Sequence, residues 1–389
     1  MQNLVIVGNV ADNPFVVDVA HYFRQEEDYS DLISLKDFTN TEFCPRFIVD
    51  EGDWKNIGRK LQDKTVLLVS TSIGINTRND LSMRNFLIAR AAKDNGAARV
   101  ILVEPDLYYS AQDRGPRVEQ GVTEYKRDRA DYKKFDGQPF SARLYADLLK
   151  DAGVDIVVTI HNHSYSVTNI FMDRFSGNFH NLQPADVYAD YIQTSGVADP
   201  DNLIVCAPDK GAISFAHEVQ CEMGCPDTPF LIMSKERKGE EVVNLKVSKD
   251  SPIQLKDIKD KEVVVIDDMI RTGNTTVECC RLIRTAKPRR IVFFVTHFFA
   301  SRECRAKLND PSIDEIVTTN TIPQILNRDM QGRLRNKMVV LKIEPWVAQH
   351  VKELLKGEPY SNEKPLYAVD MSSKNPRWRG KMGPLFDVD

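Results

Sequence analysis

Two adjacent carboxylates, Asp267 and Asp268, end an apolar run in VVVIDDMIRTGNTT, Val263–Thr276, and a turn of small residues follows them. A turn of that kind, opening a helix, presents successive backbone N–H groups and Thr hydroxyls to a phosphate. Arg271, Thr272, Gly273, Asn274, Thr275 and Thr276 therefore read as a phosphate cradle. The two aspartates would repel the phosphate, yet they can accept hydrogen bonds from vicinal sugar hydroxyls or hold Mg²⁺ through water. Carboxylates beside such a cradle suggest a sugar phosphate. The plainer alternative is that Asp-Asp caps the turn and Thr-Gly-Asn-Thr-Thr merely starts a helix. No lysine-bearing Walker sequence occurs, which excludes a P-loop NTPase.

These groups need elements to hold them. Short Val/Ile/Leu-rich runs predict strands from Leu4, Thr65, Arg99, Asp155, Leu203, Phe230, Glu262, Arg290, Glu315 and Val339. Helical patterns lie between several of them, over Met83–Asn95, Ser141–Asp151, Thr275–Thr285 and Trp346–Lys356. The alternation predicts an α/β fold with mostly parallel sheets. Ligands of open α/β sheets sit at the carboxyl ends of strands, and there the sequence puts His161, Asp209, Lys235, Asp267, Asp268 and His297. Two stretches break the pattern. Asp113–Gly137 is dense in charge and poor in aliphatics, and reads as an exposed excursion. The tail from Pro359 is expected to wrap the surface or to be partly disordered.

The 389 residues are about twice the usual single-domain length, so two domains with two cores are expected. A net charge of −4 with both signs interspersed gives no nucleic-acid surface. The start, MQNLVIVGNVADNP, has no basic opening or cleavage site, and no run reaches membrane-spanning length, so a cytoplasmic protein without a membrane partner is expected. Of seven cysteines, Cys206, Cys279 and Cys280 lie in apolar runs and suit reduced core thiols. Zinc at Cys221 and Cys225 would need two more ligands nearby.

The phosphate segment is similar to that of type I phosphoribosyltransferases and of ribose-phosphate pyrophosphokinases (PRPP synthetases), and further segments favour the latter. FTNTE at Phe38–Glu42 resembles their adenine-side segment, and YSAQDR at Tyr109–Arg114 their second ATP-contacting segment. HNHSYSVTNIF from His161 looks like their metal segment, APDKGA from Ala207 their ribose-phosphate aspartate segment, and SKERKGEEV from Ser234 their catalytic flexible loop. VTHFFAS, TTNTIP and LKIEPWVAQHVKELLKGEPYS follow the same pattern.

The resemblance implies two tandem phosphoribosyltransferase-like (Rossmann-like) domains. Residues 1–160, completed by 325–358, would carry the ATP segments and the 113–137 insertion. Residues 161–324 would carry the ribose-phosphate loop, with 359–389 as a tail. It further implies an active site between domains, a homo-oligomer, Mg²⁺ as cofactor, and ATP and ribose 5-phosphate as substrates. The products would be PRPP and AMP. Lys235 and Arg237 would be the catalytic cations. Phe38, Asn40, Glu42, Gln112 and Asp113 would bind ATP, Asp209, Asp267, Asp268 and residues 271–276 ribose phosphate, and His163 with Asp209 the metal.

The chain also departs from the family pattern. Ala111 stands where an ATP-contacting arginine is usual, His161 where there is an aspartate, and Arg271 replaces an acidic residue; the helix after Asp209 lacks the usual basic residues. Alternative readings are a diphosphokinase for another ribose 5-phosphate derivative, a phosphoribosyltransferase, and a non-catalytic regulatory paralogue.

Overall fold

The computed structural model describes residues 3–72, 76–123, 125–162, 164–238, 242–299, 301–360 and 364–370; of residues 235–238, 242–244 and 330 only the backbone is described. The chain divides into two compact units, one ending at Leu182 and the other beginning at Gln183.

The first unit runs β1 (Leu4–Gly8), α1 (Pro14–Tyr22), β2 (Ile33–Asp37), β3 (Phe43–Phe47), β4 (Thr65–Val69), α2 (Arg78–Asp94) and β5 (Arg99–Val103). It continues with α3 (Arg129–Lys134), α4 (Ser141–Ala152), β6 (Ile156–Ile160), α5 (Tyr165–Arg174) and β7 (Phe179–Leu182). A five-stranded sheet, β1-β4-β5-β6-β7, is parallel throughout. Its central strands are buried on both faces, which is why they read as continuous apolar runs. Crossover helices are amphipathic: α4 buries Ala142, Tyr145, Ala146 and Leu149 at helical spacing and ends at Gly153, whose φ of 108° a side chain would strain. β2 and β3 form a separate antiparallel hairpin.

The second unit runs α6 (Ala185–Thr194), β8 (Leu203–Ala207), α7 (Ile213–Glu222), β9 (Phe230–Lys238), β10 (Val242–Val247), β11 (Glu262–Ile270) and α8 (Asn274–Thr285). Then come β12 (Arg290–Phe298), α9 (Arg302–Leu308), β13 (Glu315–Thr319), α10 (Arg328–Gln331), β14 (Met338–Lys342), α11 (Glu344–Lys356) and β15 (Ala368–Asp370). Its sheet has the order β10-β9-β8-β11-β12-β13-β14-β15, parallel except at the two edge pairs. The core lies between this sheet and its helices, around Cys206, Val263, Val265, Phe293 and Val295.

Every predicted strand and helix is present, but the domain division differs from the expected one. β7 pairs with β6, so residues to Leu182 stay with the first unit. Residues 325–358 do not return there: β14 pairs with β13, and the buried Trp346 on α11 donates its indole N–H to Asp186 of α6 at 3.0 Å. An apolar strand run does not encode which sheet it will join, and here the partner is the neighbouring β13. The SKERKGEEV segment is not simply a loop, because the backbone through Lys238 is strand, paired with β10. The described part of the tail lies on the second unit: Tyr360 and Tyr367 donate to Asp186 and Asp190, and β15 pairs with β14.

Most described residues of the charged 113–137 segment are exposed, as expected of an excursion, but the segment also has a centre of its own. Its centre is a buried ion pair, Arg127 Nε to Asp131 Oδ2 at 2.6 Å, with Arg127 also donating to the carbonyls of Gly115 (2.7 Å) and Gln120 (2.8 Å). Charge of both signs is used here to build a small polar core, its hydrogen bonds satisfied from within. Among the described residues no helix is long and apolar enough to cross a membrane, and all seven cysteines are free thiols.

Candidate functional site

In the second unit, β11 ends in Asp267 and Asp268 and turns through Arg271–Gly273 into α8. Gly273 has a φ of 75°, the left-handed region, and an added Cβ would lie 3.0 Å from Cys304 Sγ on α9. Only glycine lets the chain turn there with α9 so close. The start of α8 has no side-chain cap, and first-turn N–H groups of such a helix can bind an anion.

Asp209 follows β8, the strand beside β11. Its Oδ1 accepts from the N–H groups of Gly211 (2.9 Å) and Ala212 (3.3 Å), an arrangement that fixes the carboxylate. Burial, then the like charges of Asp268 and Asp209, push the Asp267 carboxyl well above the usual carboxylate range. Asp209, Asp267 and Asp268 are thus one acidic cluster beside a cradle for an anion. Among the described residues no three His, Cys, Asp or Glu side chains could hold a metal by themselves. A Mg²⁺ at this cluster would draw most of its oxygens from phosphate and water, as Mg²⁺ usually does.

Lys235 and Arg237 occupy alternate positions of β9, which adjoins β8 on the side away from β11, but their side chains lie outside the described part. His163 lies outside the described residues. Of the titratable groups expected at strand ends, His161 belongs to the first unit, with a φ of 45°. His297 is buried within β12, its Nδ1 3.0 Å from Thr321 Oγ1.

In the first unit, Phe38, Asn40 and Glu42 sit on the exposed turn between β2 and β3. Asn40 Oδ1 accepts from Glu42 N at 3.2 Å, and Phe38 is 43% exposed, a ring available for stacking. The hairpin is fastened to α2 by Arg84, which forks onto Asp37 at 2.7 and 2.8 Å and lies 4.2 Å from the Phe43 ring centre. Gln112 is exposed, while Asp113 is partly engaged: Ser164, the N-cap of α5, donates to Asp113 Oδ2 at 2.6 Å.

Sequence reasoning missed a polar floor under the carboxyl ends of β1, β4 and β5. Glu104, fully buried, accepts from Tyr108 N (2.6 Å), Tyr145 Oη (2.7 Å) and Asn85 Nδ2 (3.0 Å). Asn85 and Asn9 in turn hold Ser70. Burial pushes the Glu104 carboxyl up to about 8, its hydrogen bonds opposing the shift. The signal was a carboxylate directly after the apolar run RVILV.

A phosphoribosyl transferase domain model matches residues 185–326, the part that holds the phosphate turn and the acidic cluster. Ribose-phosphate pyrophosphokinase 4 of Saccharomyces cerevisiae is 28% identical over 306 residues, 78% of this chain and 81% of the yeast protein. The ribose-phosphate pyrophosphokinase of Corynebacterium efficiens is 28% identical over 282 residues, 72% of this chain and 75% of that one. In fold, the chain is similar to phosphoribosylpyrophosphate synthetase from Mycobacterium smegmatis, with a TM-score of 0.70 at 23% identity, covering 91% of this chain and 99% of that one. The fold and phosphate turn define a phosphoribosyltransferase-like α/β protein. Within that class, the chain is similar over most of its length to ribose-phosphate pyrophosphokinases (PRPP synthetases).

Proposed function

We propose that the chain transfers the diphosphoryl group of ATP to the anomeric hydroxyl of ribose 5-phosphate, giving PRPP and AMP. The observation that carries this reading is the acidic cluster Asp209/Asp267/Asp268 beside the uncapped start of α8, with relatives of matching name over most of the chain. In this reading the 5-phosphate sits on the N–H groups of the 272–276 turn, and Asp267 and Asp268 accept from the ribose hydroxyls. The anomeric oxygen bonds to the β-phosphorus, the bond from that phosphorus to the α-phosphate oxygen breaks with its electron pair leaving on AMP, and the hydroxyl proton is released. The protein's part is positioning and neutralisation of charge. Lys235 and Arg237 would face the transferring group, and the exposed Phe38 would stack on adenine while Asn40 and Glu42 read its edge. Gln112 and Asp113 belong to the ATP segment of the same reading.

Asp209 and His163 would contribute to holding Mg²⁺, which supplies charge neutralisation on the polyphosphate when bound. The like charges of Asp268 and Asp209 beside Asp267 would be eased by a divalent cation held mainly through phosphate and water oxygens. Self-association belongs to the same proposal and is tested by sedimentation, where a monomer would count against it. The reading itself is tested by titrating each substrate. Saturation with ATP and ribose 5-phosphate, with AMP formed only when both are present, is expected; AMP formation independent of the sugar would overturn it.

A further inference from the structure

A cavity of about 310 Å³ opens beside the phosphate turn of the second unit, and the reading above does not use it. That volume is at the small end of ligand sites, which run from about 300 to 1,000 Å³. Its lining combines two guanidinium residues, Arg271 and Arg305, with Phe298, Phe299, Ile325 and Gln324. Arg271 belongs to the phosphate turn itself. Arg305 stands on α9, the helix whose Cys304 lies against Gly273, so cavity and cradle share a wall.

The sheet order says which end of a bound sugar phosphate this cavity meets. Strands run β9-β8-β11-β12-β13, with the phosphate turn after β11. Asp209 and Lys235, assigned to the reacting end, follow β8 and lie on β9 respectively, on one side. Phe298 ends β12, and Gln324 and Ile325 follow β13, on the other. A group in the cavity would therefore continue from the 5-phosphate, away from the anomeric carbon. Paired guanidiniums suit a second phosphate by bidentate hydrogen bonding, the two phenylalanines suit a flat ring, and Gln324 can both donate to and accept from its edge.

From this we propose that the cavity is an acceptor-extension subsite: the chain takes ribose 5-phosphate units whose phosphate carries a further phosphate and a planar ring, as well as ribose 5-phosphate itself. This rests on the diphosphokinase reading. The chemistry is unchanged: the free anomeric oxygen of the extended acceptor bonds to the β-phosphorus of ATP, AMP leaves with the electron pair, and the hydroxyl proton is released.

The test uses the full chain with ATP and Mg²⁺ and compares ribose 5-phosphate with adenosine diphosphoribose, in which that unit is joined through its phosphate to AMP. Products are followed by mass spectrometry. Both acceptors should be diphosphorylated, and Arg305→Ala should lower kcat/KM for the extended acceptor roughly tenfold or more while leaving that for ribose 5-phosphate within about twofold. Phe299→Leu should act in the same direction, which guards against misfolding of one variant. Turnover of ribose 5-phosphate alone, or equal losses for both acceptors in the variants, would overturn the subsite and leave the diphosphokinase reading standing. No turnover of either acceptor would overturn the reading and the subsite with it.

Discussion

At the scale of single residues, Lys235 is the cation proposed for the transferring group, and its backbone lies on β9 beside β8, the strand that Asp209 follows. Electrostatic stabilisers of a transition state are worth about 3–4 kcal/mol, so Lys235→Ala should slow turnover by roughly 10² to 10³ with little change in the KM of either substrate. Steady-state kinetics checks this, and near-normal turnover would remove the assignment. Glu104 offers a test independent of activity. Its folded value of about 8 lies above the ordinary value of 4.5, so its contribution to stability is fully present below 4.5, falls as pH rises, and is gone above about 8. The slope is at most about 1.4 kcal/mol per pH unit. Denaturant titrations of wild type and Glu104→Gln should show the variant gaining on wild type from about pH 5 to about pH 8, then levelling. A gap that stays flat would mean that Glu104 is ionised in the fold.

At the scale of elements, the phosphate turn depends on how closely α9 packs. Gly273→Ala combines a left-handed backbone with a Cβ 3.0 Å from Cys304 Sγ, and should cost about 1–2 kcal/mol and raise the KM for the sugar phosphate. Thermal denaturation and substrate titration measure the two effects, and an unshifted Tm would show that α9 gives way freely. In the first unit, Arg84→Met should raise the KM for ATP several-fold while leaving kcat nearly unchanged, since it loosens the β2–β3 hairpin and otherwise removes only the Asp80 ion pair within α2; the kcat-against-KM split is the readout. The buried strands were legible because Val, Ile and Leu run unbroken where both faces are covered. β2 and β3 were not, because ISLKD and FCPRF alternate exposed positions with partly buried ones and include a proline. The turn from β11 into α8 was legible from its small residues and the Asp pair. The acidic coupling of Asp267 to Asp209 was not, since it depends on β8 lying beside β11.

At the scale of the whole molecule, the largest misreading was where the chain divides. VVLKIE announces a strand, but only pairing decides that β14 extends the second sheet rather than closing the first. The 113–137 segment is mostly exposed, as its charge suggested, but its buried centre was not legible, because charge usually means solvent and only the fold brings Arg127 onto Asp131 inside the segment. Arg127→Met would leave Asp131 with Arg114 at 3.2 Å as its remaining ionic partner, and should cost toward the lower end of about 3–5 kcal/mol by denaturant titration. A loss below about 1 kcal/mol would show that the segment contributes little to the stability of its unit.

The most direct test of the central claim is mass spectrometry of the products formed when purified protein is mixed with ATP, Mg²⁺ and ribose 5-phosphate, with Lys235→Ala alongside. The account predicts PRPP and AMP in equal amounts, nearly lost in the variant. AMP without PRPP, or no product from the wild type, would contradict it.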